Sequence, residues 1–74
     1  MSGYEVESEV QGSVWKLLVG AGDQVSQGEC LMILESMKVE IPVEAPVAGK
    51  VLEVRVAAED TVAEEQVLLV IEPS

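Results

Sequence analysis

The apolar residues of this chain fall in short extended runs separated by polar and turn-forming residues. Leu31-Met32-Ile33-Leu34 and Val67-Leu68-Leu69-Val70-Ile71 read as apolar strands, and Leu52-Glu53-Val54-Arg55-Val56 alternates with period two, as a half-buried strand does. No stretch sustains the three- and four-residue spacing of an amphipathic helix, and Pro42 and Pro46 would interrupt any helix through the middle. The pattern predicts strands over 12–19, 30–35, 49–56 and 67–72.

The pattern also repeats. A shift of 37 positions aligns residues 6–35 with 43–72 without a gap, and 11 of the 30 pairs are identical, among them Gly12/Gly49, Val14/Val51, Asp23/Asp60, Leu31/Leu68 and Glu35/Glu72. Most other pairs stay apolar, such as Leu17/Val54, Cys30/Val67 and Met32/Leu69. Neither half can bury its apolar face alone. Two copies packed face to face make an all-β fold: a flattened barrel or sandwich of two four-stranded sheets related by a pseudo-twofold. The halves differ at their turns, where Gly22 and Gly28 become Glu59 and Glu65. If those positions are left-handed, the second half carries a strain of order 1 kcal/mol at each. Gly12 and Gly49, at equivalent strand starts, are expected to permit close backbone approach or unusual dihedrals.

Length and composition narrow the function. At 74 residues the chain forms one domain, 1–74, comprising the repeat halves 6–35 and 43–72 and a hairpin at 36–42. Bulk comes from Val, Ile and Leu, with 3% aromatic residues and no Phe, a composition suited to strands. Fourteen acidic against four basic residues give a net charge of −10, which argues against a nucleic-acid partner. With no His and its carboxylates dispersed, the chain lacks the commonest participant in general acid–base chemistry, so it is expected to be no enzyme on its own. One cysteine, Cys30, permits neither an intrachain disulfide nor a cysteine-ligated zinc. No window is long and apolar enough to span a bilayer, and the start of the chain lacks the basic and apolar segments of a secretion signal, so the expected setting is cytoplasmic, with no membrane partner.

Under the 37-residue shift, the joint between the halves corresponds to the two chain termini, which isolates Lys38 at a tip. Here the chain resembles the biotinyl/lipoyl attachment domain family over essentially its whole length. Glu35-Ser36-Met37-Lys38 is similar to the motif in which Glu, then Ala or Ser, then Met precede the modified lysine, and Gly22-Asp23-x-Val25 and Ala45-Pro46-x-x-Gly49 match supporting landmarks. The resemblance implies a barrel-sandwich hybrid fold, covalent biotin on Lys38 through an amide, and recognition by a biotin protein ligase through Glu35, Ser36, Met37 and Val39. It further implies a non-catalytic carboxyl carrier, monomeric when isolated, that serves a biotin carboxylase and a carboxyltransferase. The small size is similar to carriers lacking the protruding thumb, and the absence of a Pro/Ala-rich linker suits a free-standing carrier or an excised domain. Val39 stands where the biotin pattern usually has a second Met. Lipoyl domains instead place Asp before the lysine and often Ala or Val after it, so a lipoyl carrier is the alternative, and an unmodified β-barrel interaction module is a third.

The remaining residues are assigned from the alignment. Lys16 lies within a strand and Lys50 directly follows Gly49, so neither suits a carrier tip. Trp15, aligned with Leu52, is placed in the barrel wall, with a partner contact as its alternative. Cys30, aligned with Val67, is expected to be a buried small hydrophobe, and Met32 a core residue. Met37, beside the lysine on a turn, has no such explanation and is assigned to recognition.

Overall fold

The computed structural model describes residues 3–74. Among them are eight strands and no helix: β1 Tyr4–Glu7, β2 Gly12–Leu17, β3 Gln24–Val25, β4 Cys30–Ser36, β5 Val39–Glu44, β6 Gly49–Val54, β7 Thr61–Val62 and β8 Val67–Pro73. They form two four-stranded antiparallel sheets, ordered β1-β8-β6-β3 and β5-β4-β2-β7. Adding 37 to the bounds of β2, β3 and β4 gives those of β6, β7 and β8, and carries one sheet order onto the other. The sequence repeat is therefore a structural twofold.

Between the sheets, Leu31, Met32 and Leu34 of β4 and Leu68, Leu69 and Ile71 of β8 are buried to 1% exposure or less. These equivalent triplets form the centre of the core, with Val14 and Val51 beside them. Met32 lies there as expected. Gly12 and Gly49 have ordinary φ, and their role is close approach: a Cβ at Gly12 would collide with the Glu35 carbonyl oxygen, and one at Gly49 with that of Glu72. Both left-handed glycines are matched by strained glutamates, with φ of 94° at Gly22 against 75° at Glu59, and 87° at Gly28 against 71° at Glu65. The turns are nonetheless held alike, since Asp23 and Asp60 each accept a hydrogen bond from the backbone N–H three residues earlier.

The structure corrects several expectations. β2 and β6 stop at Leu17 and Val54, two residues short of the predicted ends, because the chain turns at the corner toward the Asp-held loops. Leu52, expected to share an inward face with Val54 and Val56, points outward. The cause is a β-bulge between Val51 and Glu53, matched by one between Val14 and Lys16. The extra residue breaks the alternation and re-aims the side chain. Trp15 is the other bulge residue, and it too lies outside the core, half exposed. Cys30 is half-buried rather than buried, as is its equivalent Val67, because each opens its strand at the margin of the core. Pro42 lies within β5, which is tolerated because β5 is an edge strand.

Candidate functional site

β4 and β5 pair from Cys30↔Glu44 to Ser36↔Val39, leaving only Met37 and Lys38 as the connecting turn. Both have positive φ, 52° and 66°, the signature of a type I′ hairpin turn. That turn ordinarily takes Asn and Gly, so a methionine and a lysine there cost about 1–2 kcal/mol each. Of the four residues other than glycine with positive φ, Met37, Lys38, Glu59 and Glu65, only the first two are adjacent, and together they make up the whole of one turn.

The tip is open. Met37 is 93% exposed and Val39 58%, and the Lys38 side chain is exposed as well. Among the described residues the one ion pair joins Arg55 to Glu53, so the Lys38 amine is not held by a carboxylate. Its base is firmer: the Ser36 hydroxyl donates a 2.8 Å hydrogen bond to the Gln11 carbonyl, tying the hairpin to the β1–β2 connection. Sequence reasoning missed Gln11 because its contribution is a backbone oxygen brought from 25 residues away, which no local motif encodes. Glu35 and Glu40 sit directly opposite each other one pair further back, two like charges on one face.

The structure thus brings Glu35, Ser36, Met37, Lys38 and Val39 together at one tip. The other lysines lie elsewhere. Lys16 is within β2, its Nζ 5.7 Å from the centre of the Trp15 ring, and Lys50 is within β6, paired with Gln24. An exposed primary amine on a short, braced turn suits covalent attachment of an acyl cofactor, since nothing around it competes for the amine or obstructs access. No group of three or more His, Cys, Asp or Glu side chains suited to a metal occurs among the described residues.

Fold and tip together make a small β-sandwich with one lysine amine exposed at a hairpin turn. The biotin/lipoyl family model, described as "Biotin-requiring enzyme", matches residues 3–71, and the chain belongs to that family. Over 39 residues it is 49% identical to a biotinylated protein TB7.3 homolog of Mycobacterium leprae, an alignment covering 53% of this chain and 55% of that one. Over 38 residues it is 50% identical to a biotin/lipoyl attachment protein of Bacillus subtilis, covering 51% and 52%. The chain spans about half the length of the curated relatives it matches. Among solved structures, the urea carboxylase of Kluyveromyces lactis superposes with a TM-score of 0.90 at 32% identity, covering 97% of this chain and 6% of that one. A single-chain, multi-domain long-chain acyl-CoA carboxylase superposes with a TM-score of 0.91 at 25% identity, covering 97% and 7%.

Proposed function

We propose that this domain is a carboxyl carrier that holds biotin through an amide to Lys38 and contributes no catalytic group of its own. The observation that carries the reading is the strained two-residue turn that presents Lys38 beside an exposed Met37. The named relatives and the carboxylase structures support biotin as the cofactor. In this reading a biotin protein ligase supplies biotin as its adenylate, the Lys38 amine attacks the acyl carbon once its proton has been removed in the ligase site, and AMP departs. Bound biotin supplies a ureido nitrogen that takes up and releases CO2. The domain itself carries the arm, keeps its root rigid through the Ser36–Gln11 hydrogen bond, and presents it in turn to a biotin carboxylase and a carboxyltransferase.

Glu35, Ser36, Met37 and Val39 are the residues the ligase reads, and the isolated chain is a cytoplasmic monomer. No helix among the described residues is long and apolar enough to cross a membrane. Lipoate is the second reading, favoured by Val39 after the lysine and by the dual name of the Bacillus subtilis relative. Expression with each ligase, followed by intact mass, separates the two. Biotin mass on the unaltered chain and none on Lys38→Arg supports the proposal, because a guanidinium is not acylated under these conditions. A lipoyl increment alone would overturn it.

A further inference from the structure

Trp15 is the largest side chain left outside the core, and the bulge that expels it gives it specific neighbours. Trp15 and Lys16 lie opposite Ile33, which points outward because Met32 and Leu34 on either side of it face the core. Ile33 in turn pairs with Pro42, which lies between Ile41 and Val43, two residues packed against the core. Trp15, Ile33 and Pro42 therefore form an apolar row across three strands on the outer face of the sheet that carries the hairpin. Between this row and the tip lies the pair Glu35 and Glu40. At a strand rise of about 3.3 Å, the apolar row is roughly 10 Å behind the Ser36–Val39 pair that closes the turn.

The internal twofold supplies a comparison within the same molecule. The equivalent positions on the other sheet are Leu52, Val70 and Glu5, so that row is shorter and ends in a charge. Its central residue, Val70, is also covered by the chain itself. A Cβ at Gly3 would collide with Val70 Cγ1 and lie 3.3 Å from Leu52 Cδ1, and Val70 is only 7% exposed. On the lysine-bearing sheet Ile33 is half-buried, Trp15 is 48% exposed and Pro42 is exposed.

Resting on the carrier reading above, we propose that the Trp15–Ile33–Pro42 row is the ledge on which the biotin protein ligase docks. The ligase is the partner that must come closest. It acts on a bare lysine side chain, whereas later partners address the far end of a much longer biotinyl-lysine arm. With its centre at the Lys38 amine, its body reaches the sheet face behind the hairpin, where the apolar row lies roughly 10 Å from the turn. Charge defines the complementary surface, because Glu35, Glu40 and Glu44 line this face and its one cation, Lys16, is drawn over the Trp15 ring. The fitting ligase surface is an apolar socket for the indole bordered by Arg or Lys. A well-packed indole of this kind is the commonest sort of side chain to dominate an interface.

The test uses the whole chain with a purified bacterial biotin protein ligase. Trp15→Ser is expected to raise the KM for the chain roughly tenfold or more, leaving kcat within about twofold. Leu52→Ser, at the equivalent bulge with nearly equal exposure, should leave both unchanged, and thermal melting checks that both variants fold. Because Trp15 is the only tryptophan, a 5-fluorotryptophan-labelled chain gives one fluorine resonance, which should shift and broaden on titration with the ligase. Equal KM values for the two variants, or an unmoved resonance under saturating ligase, overturn the docking proposal while leaving the carrier reading intact. An unaltered chain that gains no biotin overturns both.

Discussion

Replacing Glu59 and Glu65 by glycine should stabilise this domain, because each glutamate occupies a left-handed position that its twin fills with glycine. Their φ values of 75° and 71° lie close to those of Gly22 and Gly28, so the new glycines require no change in the path of the chain. Among the described residues neither glutamate side chain makes a hydrogen bond or an ion pair, so its removal breaks neither. The left-handed conformation costs an ordinary residue about 1–2 kcal/mol. Glycine returns about 0.4–1 kcal/mol of that through the greater freedom of its unfolded chain. The net gain is about 0–1.6 kcal/mol per site, centred near 0.8, which in a domain of this size raises Tm by roughly 3–6 °C at that centre. Loss of a negative charge from a chain of net charge −10 could also stabilise. Glu59→Gln and Glu65→Gln remove the charge and keep the Cβ, and so isolate the backbone contribution. Thermal and urea melts of all four variants measure it. A glycine variant no more stable than its glutamine counterpart would refute the strain argument.

Other consequences follow from the same geometry. Gly12→Val and Gly49→Val should each destabilise the fold by about 1–3 kcal/mol in urea unfolding, since both place a Cβ against a backbone carbonyl of the neighbouring strand. Glu40→Lys turns a like-charge pair with Glu35 into an opposite one and should add about 0.2–1 kcal/mol, a gain that shrinks as salt is raised. Lys38→Gly restores the residue the turn favours and should raise Tm by a few °C, about 1 kcal/mol, while abolishing attachment, which a melt and an intact mass together show. Met37→Asp, co-expressed with each ligase, should lose biotin mass and gain lipoyl mass while melting near the unaltered chain, because Met37 is 93% exposed. Normal biotinylation of this variant would remove Met37 from the recognition account.

Much of the fold was legible in the sequence because a repeat constrains two strands at once. Gly12 and Gly49, or Leu31 and Leu68, each confirmed the other's role before any contact was known, and the loss of glycine at Glu59 and Glu65 marked where strain would lie. What stayed hidden depends on pairing between strands. The bulges at Trp15 and Leu52 arise from the register of β2 on β4 and of β6 on β8, which the local alternation of apolar residues does not record. Trp15 consequently read as barrel wall although its side chain is turned outward. β5 was hidden for a related reason, since Pro42 argues against a strand unless its place at a sheet edge is known. At the tip, the motif singled out five consecutive residues, while the brace at Gln11 required the fold to bring two distant segments together.

The central claim is that Lys38 carries biotin, and the most direct test is mass spectrometry of the chain isolated from cells that express it with their own ligases. Intact mass should show a single biotinyl increment, and peptide mapping should place it on the segment containing Met37 and Lys38. A lipoyl increment, an unmodified mass, or biotin found on Lys16 or Lys50 would contradict the account.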